Sequence, residues 1–298
     1  MAELSPVLVD VVVVSYGSRA TLRDCVAPLS ATAGVRVIVV DNASPDDALD
    51  TIADLDVTVV RAGRNGGFSF GCNLGVAAGD APYVLLLNPD ARLDDGALDA
   101  LRAVLDADPS AALAAPRILE DDGTPAPSLR RFPRLRTSLG QALFLHRLIP
   151  AWDELIHDPA AYAVPSAPEW ASGACMLVRR SALEQIGSMD ERFFLYCEDT
   201  DLCRRIWDAG LTVRYTPDAV ARHVGGVSGD RSSLRSVLTA SRIAYARKHH
   251  SAPAAHAEAA VIGLGEALHA LAKVRRPAQR RGHLAALRTA LTGAGTTP

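Results

Sequence analysis

The chain has 298 residues, of which 49% are hydrophobic and 22% are charged, values typical of a folded globular protein rather than a disordered or fibrous one. Its length suits one large α/β domain or two domains of moderate size. No apolar run approaches the roughly 18 residues of a membrane-spanning helix. The apolar run 7–14 is interrupted by Asp10 and has no basic flank, so we expect no signal peptide and a cytoplasmic protein.

The number and spacing of the cysteines also indicate a cytoplasmic protein. The chain has five, an odd number, and no two are spaced as a CxxC pair. This usage is typical of reduced thiols and argues against both a disulfide framework and a zinc site.

Basic residues concentrate near the C-terminus. Residues 229–298 carry a net charge of +8, whereas residues 1–228 carry −11. A basic segment on an acidic body indicates contact with an anionic partner, such as lipid headgroups, a diphosphate-bearing acceptor or nucleic acid. A solvated helical face would give the same composition, so both interpretations remain open.

Strand and helix patterns alternate through the first 115 residues. Buried β-branched or apolar runs predict strands at 7–15, 35–40, 57–60, 83–87 and 111–115. Helical spacing of apolar residues and helix-start signals predict helices at 21–32, 46–55, 68–78 and 96–107. The alternation predicts an α/β fold whose sheet is mostly parallel, with helices on its faces.

The pattern breaks after residue 115. Eight prolines between 116 and 168 predict a long excursion with one short helix near 139–148. Beyond it we predict that regular structure returns at 170–178 and 193–196. We also predict helices at 181–186 and 199–209 and a strand at 211–215 that is stopped by Pro217. The Ala-, Arg- and Leu-rich remainder, 232–291, is predicted to be helical.

Polar residues follow four of the predicted strands. They are Ser15-Tyr16, Asp41-Asn42, Arg61–Asn65 and Asn88-Pro89-Asp90. Open α/β sheets bind ligands beyond the carboxyl ends of their strands, where one Asp can bond a ribose or base and another can hold a divalent cation. Each segment alone fits a turn. Together they predict a nucleotide site.

Three common motifs are missing from the sequence. It has no GxxxxGK[ST] loop, no GxGxxG after the first predicted strand and no GxSxG elbow. These absences argue against a P-loop ATPase, a dinucleotide-dependent dehydrogenase and an α/β-hydrolase.

Seven segments, in the same order and with similar spacing, resemble inverting family-2 glycosyltransferases with the GT-A fold, in particular bacterial rhamnosyltransferase-like enzymes of cell-surface polysaccharide synthesis. They read VVVVSYGS (11–18), VIVVDNASPD (37–46), RNGGFSFGCNLG (64–75), YVLLLNPDARL (83–93), WASGACMLVRRSAL (170–183), MDERFFLYCEDTDLCRR (189–205) and ARHVGG (221–226). The resemblance spans about residues 7–228 and leaves the basic tail uncovered.

The resemblance implies a domain organisation. Residues 1–228 would form the GT-A domain, with a nucleotide-sugar half at 1–115 and an acceptor and catalytic half at 116–228. Residues 229–298 would form a basic helical extension.

The resemblance also implies a donor site, in which Ser15 and Asp41 contact the ribose and base. The full set of donor-binding residues is Ser15, Tyr16, Asp41, Asn65, Gly67, Asn73, Asn88 and Asp90. Asp90 and His223 would hold Mg²⁺ or Mn²⁺. Asn88 occupies the position of the first acidic residue in the family's metal-binding motif, so metal binding would depend more heavily on Asp90. Gly17 replaces an Asn that is usual in the first motif, which leaves that nucleotide contact open.

For catalysis the resemblance implies Asp199 as general base, with Glu198 as the next candidate. The acceptor would contact Trp170, Ser172 and Gly173 together with Glu198 and Asp201. The plainer interpretation of the three acids is that they stabilise a helix N-terminus by about 0.3–1 kcal/mol each.

The implied reaction is metal-dependent, inverting transfer of rhamnose from dTDP-rhamnose to a glycan, lipid-linked at the inner membrane face. The alternative is a UDP-hexose or N-acetylhexosamine transferase acting on a small molecule or protein. A pyrophosphorylase would need a Gly-rich basic loop after the first strand, and a non-catalytic subunit would be expected to lack the Glu198-Asp199 pair. For the tail, with its basic cluster at 273–281, we expect peripheral membrane contact or a homodimer interface, and no nucleic-acid partner.

Overall fold

A mixed sheet organises the protein, whose computed structural model describes residues 6–223 and 234–293. The strands are β1 (Val9–Ser15), β2 (Val35–Asp41), β3 (Thr58–Arg61), β4 (Tyr83–Leu87), β5 (Ala91–Leu93), β6 (Ala111–Leu119), β7 (Leu129–Arg130), β8 (Trp170–Ala171), β9 (Cys175–Arg179) and β10 (Thr212–His223). In the described residues eight of them form one sheet, in the order β3-β2-β1-β4-β9-β6-β10-β5, and β7 pairs with β8.

The large sheet is mostly parallel, as predicted. β1 pairs in parallel with both β2 and β4, and β6 pairs in parallel with β10. β9 lies antiparallel between β4 and β6, and β5 pairs antiparallel with the end of β10. The pairing of β5 with β10 brings the segment after β4 beside His223.

Helices cover both faces of this sheet. They are α1 (Leu22–Ser30), α2 (Phe68–Ala77), α3 (Ala97–Ala107), α4 (Leu135–Ala142), α5 (Arg180–Ile186), α6 (Glu198–Asp208), α7 (Arg235–His249), α8 (Ala252–Ala272) and α9 (Pro277–Thr292). β1 is buried along its whole length, and its alternate side chains enter two hydrophobic cores, one on each face. The predicted buried central strand is confirmed.

The structure refines or corrects four local predictions. The short helix predicted within 46–55 is present as a 3₁₀ helix, Ala48–Ile52. Residues 193–196 form turns, because they lead into a tight left-handed entry to α6. The regular structure predicted at 170–178 is divided between β8 and β9. Pro217 does not stop β10, because the strand shifts register against β6 between Thr216 and Val220 and accommodates the proline there.

The C-terminal helices pack on the rest of the chain. Ser138 Oγ on α4 donates to Glu258 Oε1 on α8 at 2.9 Å, and Ser241 Oγ on α7 donates to the carbonyl of Leu195 at 2.8 Å. The predicted boundary at 228/229 and the last three residues of the ARHVGG segment lie outside the described residues. In the two described ranges, no helix is both long enough and apolar enough to cross a bilayer.

Candidate active site

A cavity of about 460 Å³ brings together six of the residues that the sequence predicted for the site. They are Asn88, Trp170, Ser172, Gly173, Glu198 and Asp199. Asn88 follows β4, and its backbone N–H donates to the carbonyl of Ala174 at 3.0 Å. This hydrogen bond joins the predicted donor loop to the predicted acceptor loop at one wall of the cavity.

Asp199 is held at the start of α6 by three hydrogen bonds. Its Oδ1 accepts from the Thr200 N–H at 2.7 Å and from Thr200 Oγ1 at 3.2 Å, and its Oδ2 accepts from the Gly173 N–H at 2.9 Å. An ionised carboxylate has about four acceptor positions. The orientation is therefore fixed while acceptor capacity remains for a hydroxyl in the cavity.

A strained turn presents this pair of acids to the cavity. Tyr196 and Cys197 both adopt left-handed backbone conformations, with φ of 70° and 64°, which are rare for residues other than glycine. The turn places Glu198 and Asp199 in the first turn of α6. Such strain is commonly found at functional sites.

Glu198 differs from Asp199 in its surroundings. Burial, and secondarily the charge of Asp199, raise the pKa of the Glu198 carboxyl well above its usual range. Its Oε2 has no hydrogen-bond partner among the described residues. The raised pKa favours the protonated form of Glu198, which can donate a hydrogen bond but is poorly suited to accept a proton.

Other cavity side chains also have unsatisfied groups. Within the described parts of the chain, Arg130 Nε and Arg242 Nε lack hydrogen-bond partners, and both residues line the same cavity as Glu198. Buried polar atoms are normally satisfied, so these three atoms in the walls of one cavity are exceptions to the usual pattern.

The predicted acceptor side has a rigid framework. Trp170 is buried, its Nε1 donates to the carbonyl of Arg131 at 2.8 Å, and the Arg130 guanidinium lies over its ring at 4.8 Å. The Ser172 N–H donates to the carbonyl of Ser128 at 2.9 Å. Trp170 is thus held from both sides.

The predicted base and ribose contacts lie at the ends of β1 and β2. Ser15 is fully buried and its Oγ lies 2.6 Å from Ser18 Oγ, whereas Tyr16 is half exposed. Asp41 Oδ1 accepts from the Ser44 N–H at 2.9 Å. Tyr16 and Asp41 are thus available to a nucleotide, but Ser15 is accessible only through a local rearrangement.

Asn42, which the sequence analysis left unassigned, organises the next loop. Its Nδ2 donates to Asn65 Oδ1 at 3.0 Å and to the Gly67 carbonyl at 3.2 Å, and its Oδ1 accepts from the Gly66 N–H at 3.1 Å. Its position immediately after Asp41 at a strand end was the signal that could have identified it.

Gly67 lies where the loop between β3 and α2 meets the segment before α6. Its φ is 87°, and a Cβ there would lie 2.2 Å from the Phe194 carbonyl oxygen. The neighbouring Phe68 N–H donates to that same oxygen at 2.7 Å. Gly67 thus allows close packing of two loops. This packing explains why the residue is glycine, and no ligand contact is needed to explain it.

Two predicted ligand contacts have structural partners instead. Asn73 Nδ2 donates to the Met189 carbonyl at 2.9 Å and to Glu191 Oε1 at 2.8 Å, which ties α2 to the loop before α6. Asp201 is fully buried and bound by Arg205, Lys248 and His249 at 2.6–2.8 Å. The structure therefore places Asp201 in an ion cluster between α6 and α7, and not in the lining of the cavity, because its helix position turns it away from Asp199.

Asp90 and His223 lie together, as predicted for metal ligands. His223 Nε2 is 3.2 Å from Asp90 Oδ1 and 3.4 Å from Asn88 Nδ2. The described residues contain no cluster of three or more His, Cys, Asp or Glu that could hold a metal. A carboxylate oxygen and an imidazole nitrogen nevertheless fit Mn²⁺ or Mg²⁺ if diphosphate oxygens and water supply the other positions.

The sequence analysis missed the contribution of α7. Leu238 and Arg242 line the cavity. Arg242 donates from Nη1 to Gln141 Oε1 at 3.0 Å and forms a buried ion pair with Glu154. Arg242 is one of many basic residues in the tail. The sequence alone does not show that this arginine points into the cavity while others are exposed.

Comparisons with known proteins agree with this fold and identify the family. The family model for Glycosyl transferase family 2 matches residues 10–187. An N-acetylglucosaminyl-diphospho-decaprenol L-rhamnosyltransferase of Mycobacterium tuberculosis is 33% identical over 233 residues, covering 72% of this chain and 76% of that protein. A pre-mycofactocin glycosyltransferase of the same species is 32% identical over 218 residues, covering 72% and 42%.

A solved structure extends the match to nearly the whole chain. The mannosyltransferase PcManGT from Pyrobaculum calidifontis, in complex with GDP-Man and Mn²⁺, superposes with a TM-score of 0.59 at 16% identity. The match covers 95% of this chain and 87% of that one. With the GT-A fold and the family match both in place, the chain belongs to glycosyl transferase family 2 and is a rhamnosyltransferase-like glycosyltransferase.

Proposed function

We propose that this glycosyltransferase moves rhamnose from dTDP-rhamnose, with inversion, onto a glycan acceptor carried by a polyprenyl diphosphate. The observation that carries the proposal is the 33% identity to the L-rhamnosyltransferase whose printed name specifies an N-acetylglucosaminyl-diphospho-decaprenol acceptor. The polar lining of the cavity, which includes Arg130, Glu198 and Arg242, supports a ligand rich in hydroxyl groups.

Asp199 acts as the general base in this proposal. Its hydrogen bonds to Thr200 and Gly173 fix the carboxylate, and inversion needs a single base that takes the proton of the attacking hydroxyl. Glu198, whose pKa is raised by burial, serves as a hydrogen-bond donor that positions the acceptor.

The donor lies on the opposite side of Asn88 from the acceptor. Tyr16, Asp41 and Asn65 would contact the nucleoside, and Asp90 with His223 would hold Mg²⁺ or Mn²⁺. When bound, such an ion neutralises charge that develops on the leaving diphosphate. Asn88 bridges the two regions through its backbone contact with Ala174 and its side-chain contact with His223.

The experiment is a donor and acceptor matrix with purified full-length protein. dTDP-rhamnose and UDP-N-acetylglucosamine are each offered to a polyprenyl-diphosphate N-acetylglucosamine and to a small peptide acceptor. We expect product with dTDP-rhamnose and the lipid, with NMR showing the anomeric configuration opposite to that of the donor. Turnover of the UDP-sugar alone, or retention of configuration, would refute the proposal.

The peptide acceptor represents a second candidate. The pre-mycofactocin glycosyltransferase, at 32% identity, favours an acceptor other than a lipid-linked glycan, as in our alternative of a hexose or N-acetylhexosamine transferase. Transfer to the peptide acceptor, without transfer to the lipid, would support that candidate.

A lipid-linked acceptor also requires access to the inner face of the membrane. Arg275, Arg276, Arg280 and Arg281 are exposed, as are Leu264 and Leu271. A basic residue near an anionic leaflet contributes about 1 kcal/mol. We propose peripheral membrane contact through this surface. Cosedimentation with anionic but not neutral vesicles, weakened by salt, tests it; if the protein ignores anionic vesicles at low salt, the surface serves packing or a homodimer.

A further inference from the structure

Two further cavities lie between the 460 Å³ cavity of Asp199, which we call the catalytic cavity, and the C-terminal helices. The first has a volume of about 830 Å³ and shares Gln141 and Leu155 with the catalytic cavity. The second has a volume of about 490 Å³ and shares Arg147, Arg235 and His269 with the first. The shared lining residues make the three cavities neighbours, in a series that starts at the cavity containing Asp199.

The second of these spaces, which we call the cationic cavity, is lined by Arg147, Arg235 and Lys273, and by no Asp or Glu among the described residues. Arg235 is paired with Glu266 at 2.8 Å. No carboxylate in the described ranges lies within ion-pair distance of Arg147 or Lys273. Two cations without a paired acid therefore face one space.

A helix N-terminus adds to this positive potential. Gln279, in the first turn of the 16-residue helix α9, lines the cationic cavity. The first N–H groups of a helix have no intrahelical acceptors, and together with the helix dipole they favour phosphate groups. Several cations and a helix N-terminus at one cavity form a combination that favours phosphate.

Four apolar residues lie close in the chain to residues that line the cationic cavity, and we call these four residues its rim. Leu148 is 80% exposed, and Ile149 is exposed beside it, on the segment that carries Arg147. Leu271 and Val274 are 67% and 58% exposed, on the segment that carries Lys273. Adjacent exposed apolar side chains mark interaction sites. A phosphate attached to an apolar chain satisfies both the cations and the rim, whereas a small soluble anion satisfies only the cations.

We infer that Arg147, Arg235 and Lys273 bind the diphosphate of a lipid-linked acceptor. The acceptor glycan then runs through the 830 Å³ cavity to Asp199, and the lipid chain leaves over Leu148 and Leu271. The inference rests on the proposed function for the nature of the acceptor, and it assigns the C-terminal helices a direct part in acceptor binding.

The first test measures binding of inorganic pyrophosphate to the full chain by calorimetry. EDTA is present to suppress diphosphate binding at Asp90 and His223. The test variant is R147A/K273A, and the control R136A/R288A removes the same charge from exposed positions outside the cavity. We expect binding by the wild type and the control, and affinity weaker by roughly tenfold or more in the test variant. Equal affinity in all three proteins, or none in the wild type, would overturn the inference. Melting temperatures verify that the variants fold.

The second test distinguishes the diphosphate of a lipid-linked acceptor from the phosphate of membrane headgroups. With the lipid-diphosphate acceptor, R147A/K273A should raise KM by roughly tenfold or more without changing kcat or donor hydrolysis, because both cations lie away from Asp199. With an alkyl glycoside of the same sugar, KM should be unchanged. If phosphatidylglycerol vesicles without acceptor displace pyrophosphate from the wild type, the site binds headgroups and the acceptor assignment is wrong. Failure of transfer to any lipid acceptor would refute the proposed function while leaving the pyrophosphate result intact.

Discussion

Gly173 and Asp199 come together across the cavity so closely that the glycine N–H donates to Asp199 Oδ2 at 2.9 Å, and a Cβ on residue 173 would lie 3.2 Å from the Asp199 Cβ. The two residues come from different elements, the loop after β8 and the first turn of α6. Their contact couples the loop expected to bind the acceptor to the expected base.

Gly173→Ala should therefore reduce turnover without unfolding the protein. The added methyl group would lie 3.3 Å from Asp199 Oδ2 and would displace the carboxylate by a few tenths of an ångström. Misplaced catalytic groups lose rate steeply, so we expect kcat to fall by roughly tenfold or more. Steady-state kinetics and a thermal melt measure this. Gly263→Ala, whose Cβ would make an ordinary 3.5 Å contact with Ala290, is the control. Unchanged kcat in Gly173→Ala would show that the carboxylate position is not critical.

Asp199→Asn should abolish most of the activity while preserving donor binding. The amide keeps the shape of the carboxylate but cannot accept the acceptor's proton, and loss of a general base typically costs about 10²–10⁴-fold in rate. Transfer kinetics are measured alongside calorimetric titration with the nucleotide sugar. Asp208→Asn, on the exposed face of the same helix, should be neutral. Near-normal turnover by Asp199→Asn would exclude this residue as the base.

The sequence predicted which residues lie together better than it predicted their individual contacts. Strand-end position predicted Asn88, and motif order predicted Gly173, Glu198 and Asp199; all four line one cavity. Asp201 does not line the cavity as predicted, since a sequence shows an acid in a first helical turn but not which side of the helix faces the cavity. Arg242 was missed because its partner, Glu154, is 88 residues away and the pairing depends on tertiary packing.

Asp90→Asn and His223→Ala should each weaken metal binding. The proposed ligand atoms, Asp90 Oδ1 and His223 Nε2, lie 3.2 Å apart. Each substitution would remove one of these two protein ligands from the metal. We expect an effect at least as large as the 10–100-fold loss seen when a group behind a metal ligand is removed. Mn²⁺ titration in the presence of dTDP measures the affinity, and EDTA should abolish transfer by the wild type. Asp94→Asn, on the exposed edge where Asp94 pairs with Arg222, is the control. Full activity in EDTA would show that the enzyme needs no metal.

Glu198→Gln should stabilise the protein increasingly as the pH rises. Burial and the charge of Asp199 raise the pKa of Glu198, so the folded state retains a proton that the unfolded chain releases at about pH 4.3. Between those two pKa values the folded wild type binds more protons, and its stability falls with pH by at most about 1.4 kcal/mol per unit. Glutamine does not titrate. Denaturant unfolding at pH 5 and pH 8 should show a larger gain at pH 8, and Glu184→Gln, an exposed control, should show none. An equal effect at both pH values would contradict the raised pKa.

Arg242→Met should destabilise the protein, and Glu154→Gln should reverse most of that loss. Arg242 Nη2 and Glu154 Oε1 form an ion pair whose side chains are 15% and 8% exposed, in the wall of the catalytic cavity. Removing one partner leaves a buried charge uncompensated, at a cost of about 3–5 kcal/mol, whereas replacing both leaves none. Chemical unfolding of both single variants and the double variant gives the coupling free energy, and transfer assays give KM for the acceptor. If the double variant regains stability but not acceptor affinity, Arg242 also binds the acceptor through the Nε that has no protein partner in the described structure. Additive losses in the double variant would show that the pair does not couple α7 to the cavity.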